Sequence, residues 1–84
     1  MEWQTRMPTV KIVGPYRFFF FSNEGNEPPH IHVTRERRLA KFWIRSVMLA
    51  STSGFSGAEL RKLENIVTRN QSFFLEAWDA YFTG

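Results

Sequence analysis

An α+β domain is the fold class this sequence predicts: an antiparallel four-stranded β-meander followed by two C-terminal helices packed on one face. Three observations predict it. Residues 7–50 hold short β-branched and aromatic runs separated by turn residues. Residues 56–82 hold apolar residues at helical spacing behind a well-marked helix start. The strand runs all precede the helical runs, so the order is not the alternating one of a parallel α/β sheet.

The 84 residues make one domain, with residues 1–6 read as a loose N-terminal extension. A hydrophobic fraction of 43%, nine Phe among it, supplies a core despite the short chain. There is no Cys, which excludes disulfides, thiolate metal sites and thiol nucleophiles. No apolar run approaches the ~20 residues of a membrane span. The opening Met-Glu-Trp-Gln-Thr-Arg lacks a signal-peptide pattern, and the expected location is cytoplasmic.

Thr9 to Val13 is rich in β-branched residues and reads as the first strand. Gly14-Pro15 is a turn signal. Tyr16 to Ser22 is the second strand, with Phe18 and Phe20 on one side and Phe19 and Phe21 on the other, as expected of a central strand. After the polar stretch Asn23–Pro29, His30 to Arg35 is the third strand. Glu36-Arg37-Arg38 is its hairpin turn. Leu39 to Arg45 is the fourth strand, its apolar face made by Ala40, Phe42 and Ile44. Val47 to Ala50 is a short extended piece and Ser51 to Gly54 a loop. Ser56 with Glu59 three residues on is a capping box, flanked by a Phe55–Leu60 staple. Leu60, Leu63, Ile66 and Val67 form the stripe of the first helix, which Asn70 ends. Phe74, Ala77, Trp78 and Tyr81 form that of the second, from about Gln71 to Tyr81. These stripes read as core.

The functional signal lies at the start of the third strand. His30 and His32 are two residues apart, so they project from the same face, and Thr34 continues the row. Pro28 and Pro29 stiffen the approach. If the hairpin register follows the apolar pattern, Lys41 and Trp43 share that face. The expectation is that the helices cover the opposite face and leave this one open. The net charge of +3 suits an acidic partner, and Arg35, Arg37, Arg38, Lys41 and Arg45 fall close together against Glu36 alone. They read equally well as a binding patch or as the solvated edge of a hairpin.

The runs Met7-Pro8-Thr9-Val10, Tyr16 to Gly25 and Glu27-Pro28-Pro29-His30-Ile31-His32-Val33 resemble the domain-of-unknown-function 4160 family. So do Ala40 to Trp43, Gly54-Phe55-Ser56 with Glu59-Leu60, and Asn70, Trp78 and Phe82. The resemblance covers Met7 to Gly84. It implies a small bacterial protein, often encoded beside a domain-of-unknown-function 2442 protein as a toxin–antitoxin-type pair, with this family on the toxin side. It carries no established catalytic residues. The chain departs from the pattern in residues 1–6, and in Arg45-Ser46 where members often have an acidic residue and proline.

Three chemistries fit the site. In metal-independent RNA cleavage, His30 and His32 divide the acid and base roles, and Lys41 holds the phosphate. Glu27, Thr34, Arg35, Arg37, Arg38, Trp43 and Arg45 would bind the nucleic acid, with Trp43 stacking a base. The His32-x-Thr34 pair would need a second copy of the chain to make a paired motif, so a homodimer belongs to this reading. A second reading is a metal site on the two histidines with Glu27 or Glu24 as a third ligand. In the third, the histidines are structural and bond the Asn23–Pro29 loop to the sheet, and the face binds a protein. The expected function is a toxin-like component acting by nucleic-acid binding or RNA cleavage. Its expected partner is an antitoxin-like protein of the 2442 type, with no cofactor. The alternative is a non-enzymatic protein-binding module.

Overall fold

The computed structural model describes residues 8–83; the expectation for residues 1–6 lies outside them. Five strands and two helices follow in the order β1 (Thr9–Val13), β2 (Tyr16–Phe19), β3 (His30–Arg35), β4 (Arg38–Trp43), β5 (Met48–Ser53), α1 (Gly57–Arg69) and α2 (Gln71–Phe82). The strands form one antiparallel sheet with neighbours in chain order, a plain meander.

The sheet has five strands where four were expected. β5 pairs with β4 from Leu39–Ser53 to Trp43–Met48, taking in most of the expected loop Ser51–Gly54. Its sequence hides it because Met48–Ser53 is exposed along its whole length. A strand that buries neither face has no reason to alternate, and alternation is the signal by which strands are read. The strand that was expected to end at Ser22 stops at Phe19, although the Phe20 amide still donates to the Pro8 carbonyl.

Both helices pack on the sheet face carrying Phe18, Ile31, Val33, Ala40 and Phe42, which are fully buried there with Leu63, Val67 and Phe74. Phe18 meets Phe74, and Phe20 meets Trp78 edge to face. Such aromatic pairs add about 0.5–1.5 kcal/mol beyond the area they bury. α1 begins where its cap residue requires: Ser56 Oγ accepts from the Glu59 amide at 3.1 Å. The Glu59 carboxylate accepts from Tyr16 Oη and from Arg35, tying α1 to β2 and β3. Asn70 ends α1, and its carbonyl accepts from the Phe74 amide as α2 begins. Gln71 Nε2 donates to the carbonyls of Ile44 and Arg45, fixing the start of α2 to the end of β4. The far end of α2 thereby reaches the long loop between β2 and β3. There a Cβ on Gly25 would come within 2.5 Å of the Phe82 ring, so a larger residue must displace that ring.

Candidate functional site

The first residue of β3 lies beside this loop, and the loop folds back over it. Two turns shape it: the Glu24 amide donates to Phe21, and the Glu27 amide donates to Glu24. The Pro29 carbonyl then accepts from the Ile44 amide, pinning the loop to the end of β4. This brings the Glu24 carboxylate onto both histidines at once. Its Oε1 lies 2.7 Å from His30 Nε2 and 2.8 Å from His32 Nε2. His30 Nδ1 donates to the Pro28 carbonyl at 2.9 Å, since a carbonyl can only accept.

The shared face of His30, His32, Lys41 and Trp43 is as expected: His30 pairs with Trp43, and His32 with Lys41. The expectation that these histidines stand open is corrected. His30 is 0% exposed and His32 6%. Parity decides which side of a strand a residue takes but not what covers that side. Here the cover is the loop carboxylate and aromatic rings. His30 packs against Trp43 and Trp78. His32 stacks on Phe19 and meets the edge of Phe21. Phe19, Phe21 and His32 make a second small cluster on the sheet face away from the helices.

Burial disfavours the charged form of Glu24, but the hydrogen bonds from His30 and His32 outweigh it and hold the carboxyl below its usual range. Burial pushes His32 below the ordinary imidazole value, and its bond to Glu24 offsets this only in part. His32 Nδ1 is buried without a hydrogen-bond partner. Lys41 Nζ donates to Glu27 Oε1 at 3.0 Å and sits over the Trp43 ring. Glu27 Oε1 lies 3.8 Å from His30 Nδ1. His32 lines, with Phe21, Leu39, Lys41, Ser51 and Ser53, a cavity of about 190 Å³.

The site therefore brings together Glu27, His30, His32, Lys41 and Trp43. The other sequence candidates lie elsewhere. Thr34 Oγ1 donates to the Arg38 carbonyl and closes the hairpin. Arg35 points to the helix side and bonds Glu59 at 2.9 Å, with Arg38 3.9 Å from the same carboxylate. Arg37 and Arg45 are exposed. Glu24 is the residue that sequence reasoning placed too low, as an alternative to Glu27. Its signal is the turn-forming Asn23, Gly25 and Asn26 around it, which allow the loop to double back. Trp78, read as core, also walls the site.

Fold and site define a small α+β domain whose sheet carries a Glu–His–His cluster under a loop. The sequence model described as Domain of unknown function (DUF4160) matches residues 16–79, and the chain belongs to that family. Comparisons with curated proteins and with solved structures gave no match. Among the described residues, no helix is long and apolar enough to cross a membrane.

Proposed function

We propose that this chain is the toxin-like component of a cytoplasmic toxin–antitoxin-type module, and that it acts by binding. The uncovered sheet face docks a small antitoxin-like protein of the domain-of-unknown-function 2442 type. The Glu24 clamp carries this reading. A general acid or base must stand within hydrogen-bond reach of the proton it moves. Both imidazoles are instead buried and hydrogen-bonded to one carboxylate, and Lys41 is paired with Glu27. The basic cluster is divided as well, with Arg35 and Arg38 beside Glu59 on the helix side. What the face offers is exposed Leu39 and Met48 around half-buried Trp43, the residue types that form interface cores.

The test is co-purification with a domain-of-unknown-function 2442 protein. Leu39→Asp with Met48→Asp should abolish the complex while circular dichroism stays unchanged. Retained binding in the folded double variant, or no complex with the wild-type chain, overturns the reading.

One observation favours nucleic-acid binding or RNA cleavage as a second reading: Lys41 lies 4.7 Å from the Trp43 ring beside the cavity at His32. A cation next to an aromatic face suits a phosphate and a stacked base. In this reading Glu24 swings away when RNA binds. Cleavage would follow a bell-shaped pH curve, survive a chelator and disappear in His32→Gln. Affinity would fall steeply with salt, less so in Arg37→Ala with Arg45→Ala.

A further inference from the structure

The geometry points to a site for one divalent transition-metal ion of the zinc, cobalt or nickel class, held by His30 Nε2, His32 Nε2 and the Glu24 carboxylate. The three donor atoms lie within 4.8 Å of one another. Both nitrogens face the same carboxylate oxygen. Two imidazoles with one carboxylate select zinc and its neighbours over magnesium or calcium, which prefer all-oxygen shells. Three protein ligands leave a coordination position for water or a partner's donor atom.

A second feature separates this cluster from an acid lying by chance between two histidines. Histidine ligands are oriented by a hydrogen bond from their other ring nitrogen. His30 has that bond, from Nδ1 to the Pro28 carbonyl, and it leaves Nε2 as the nitrogen aimed at Glu24. The Pro28-Pro29 step and the Pro29–Ile44 bond hold this carbonyl in place. Both rings are packed in position, His30 by Trp43 and Trp78, His32 by Phe19 and Phe21. His32 relies on packing alone, because its Nδ1 has no partner. Lys41, the nearby cation, is turned to Glu27.

Zinc bonds of about 2.0–2.2 Å place tetrahedral ligand atoms roughly 3.3 Å apart, so each nitrogen–oxygen pair opens by about half an ångström. Glu24 moves, since it sits on the loop with its side chain 20% exposed, and the imidazoles turn toward each other, because donor atoms up to 4.8 Å apart must close to that spacing. The ion replaces protons between carboxylate and imidazoles and binds the loop to β3. This goes beyond the docking reading and requires no partner.

The experiment uses the whole chain, stripped with chelator and titrated with cobalt(II) alone. The expected result is one equivalent bound, with the visible absorption of a nitrogen- and oxygen-ligated cobalt ion, displaced by zinc(II). Zinc should raise the melting temperature, and a chelator should reverse the rise. Glu24→Gln is the decisive variant. Its amide oxygen still accepts from both imidazoles, which preserves the fold, but an amide is a poor ligand. It should lose the cobalt spectrum and the zinc shift, while Arg37→Ala keeps both. An absent cobalt spectrum in the wild-type chain overturns the site, as does an undiminished spectrum or zinc shift in folded Glu24→Gln. The readouts need only the isolated chain, so failure of the docking reading leaves them intact.

Discussion

At the residue scale, Glu24 does the most with the fewest atoms. One oxygen serves two buried imidazoles. Glu24→Ala leaves both Nε2 atoms without their partner, and a buried unsatisfied group costs about 1–3 kcal/mol. Urea melts should show that loss in Glu24→Ala and clearly less in Glu24→Gln. His30→Ala should also destabilise, by more than about 1 kcal/mol, because it opens a hole between two tryptophans and strips Glu24 of a donor. Acid should weaken the chelator-treated protein in two stages. Burial, only partly offset by Glu24, lowers His32 from its ordinary 6.5, so just below that pH the unfolded chain binds the extra proton. The His32 contribution is complete above pH 6.5 and lost as pH falls through the folded value. The histidine bonds outweigh burial and hold Glu24 below its ordinary 4.5, so its contribution is complete above 4.5 and lost on further acidification. Thermal melts across this range should show both losses, and His32→Gln should remove the first.

At the element scale, the two ends of the site loop are set by different forces. One end is held by backbone bonds and prolines, the other by contact between Gly25 and Phe82. Gly25→Ala should cost about 1–3 kcal/mol through overpacking. Phe82→Ala in that background should cost less than it does in the wild-type chain, a non-additivity measurable by denaturant melts. Helix α1 rests on its cap in the same local way, and Ser56→Ala should lose about 0.5–2 kcal/mol. An unchanged melt would place the start of the helix elsewhere.

For the whole molecule, the two faces of the sheet have different tasks. The helix face holds the main core, with Glu59 linking β2, β3 and α1. There the hydrogen bonds from Tyr16 and Arg35 outweigh desolvation and hold the Glu59 carboxyl below its usual range. The other face holds the Phe19–Phe21–His32 cluster and the exposed Leu39 and Met48. Charge inserted at Leu39 and Met48 should therefore abolish docking without a large change in melting temperature, whereas core truncation at Phe74 should unfold the chain.

Elements that obey local rules are legible in the sequence. The Ser56 cap, the Asn70 break, the first helical stripe and the His–Lys–Trp register follow from periodicity and capping chemistry, which act over a few residues, whereas Tyr81 of the second stripe is 41% exposed and lies outside the core. Of β5 only the start was legible, as the short extended piece Val47 to Ala50, because a strand exposed on both faces carries no pattern. The burial of the histidines comes from contacts between distant parts of the chain. That depends on a loop carboxylate six residues before His30 and a tryptophan forty-eight residues after it meeting at one strand end. Such contacts are set by the path of the chain in space, and no spacing along the sequence encodes it. The same holds for the basic residues: neighbours in sequence, they alternate across the sheet, and Arg35 and Arg38 end beside Glu59 while Lys41 ends beside Glu27.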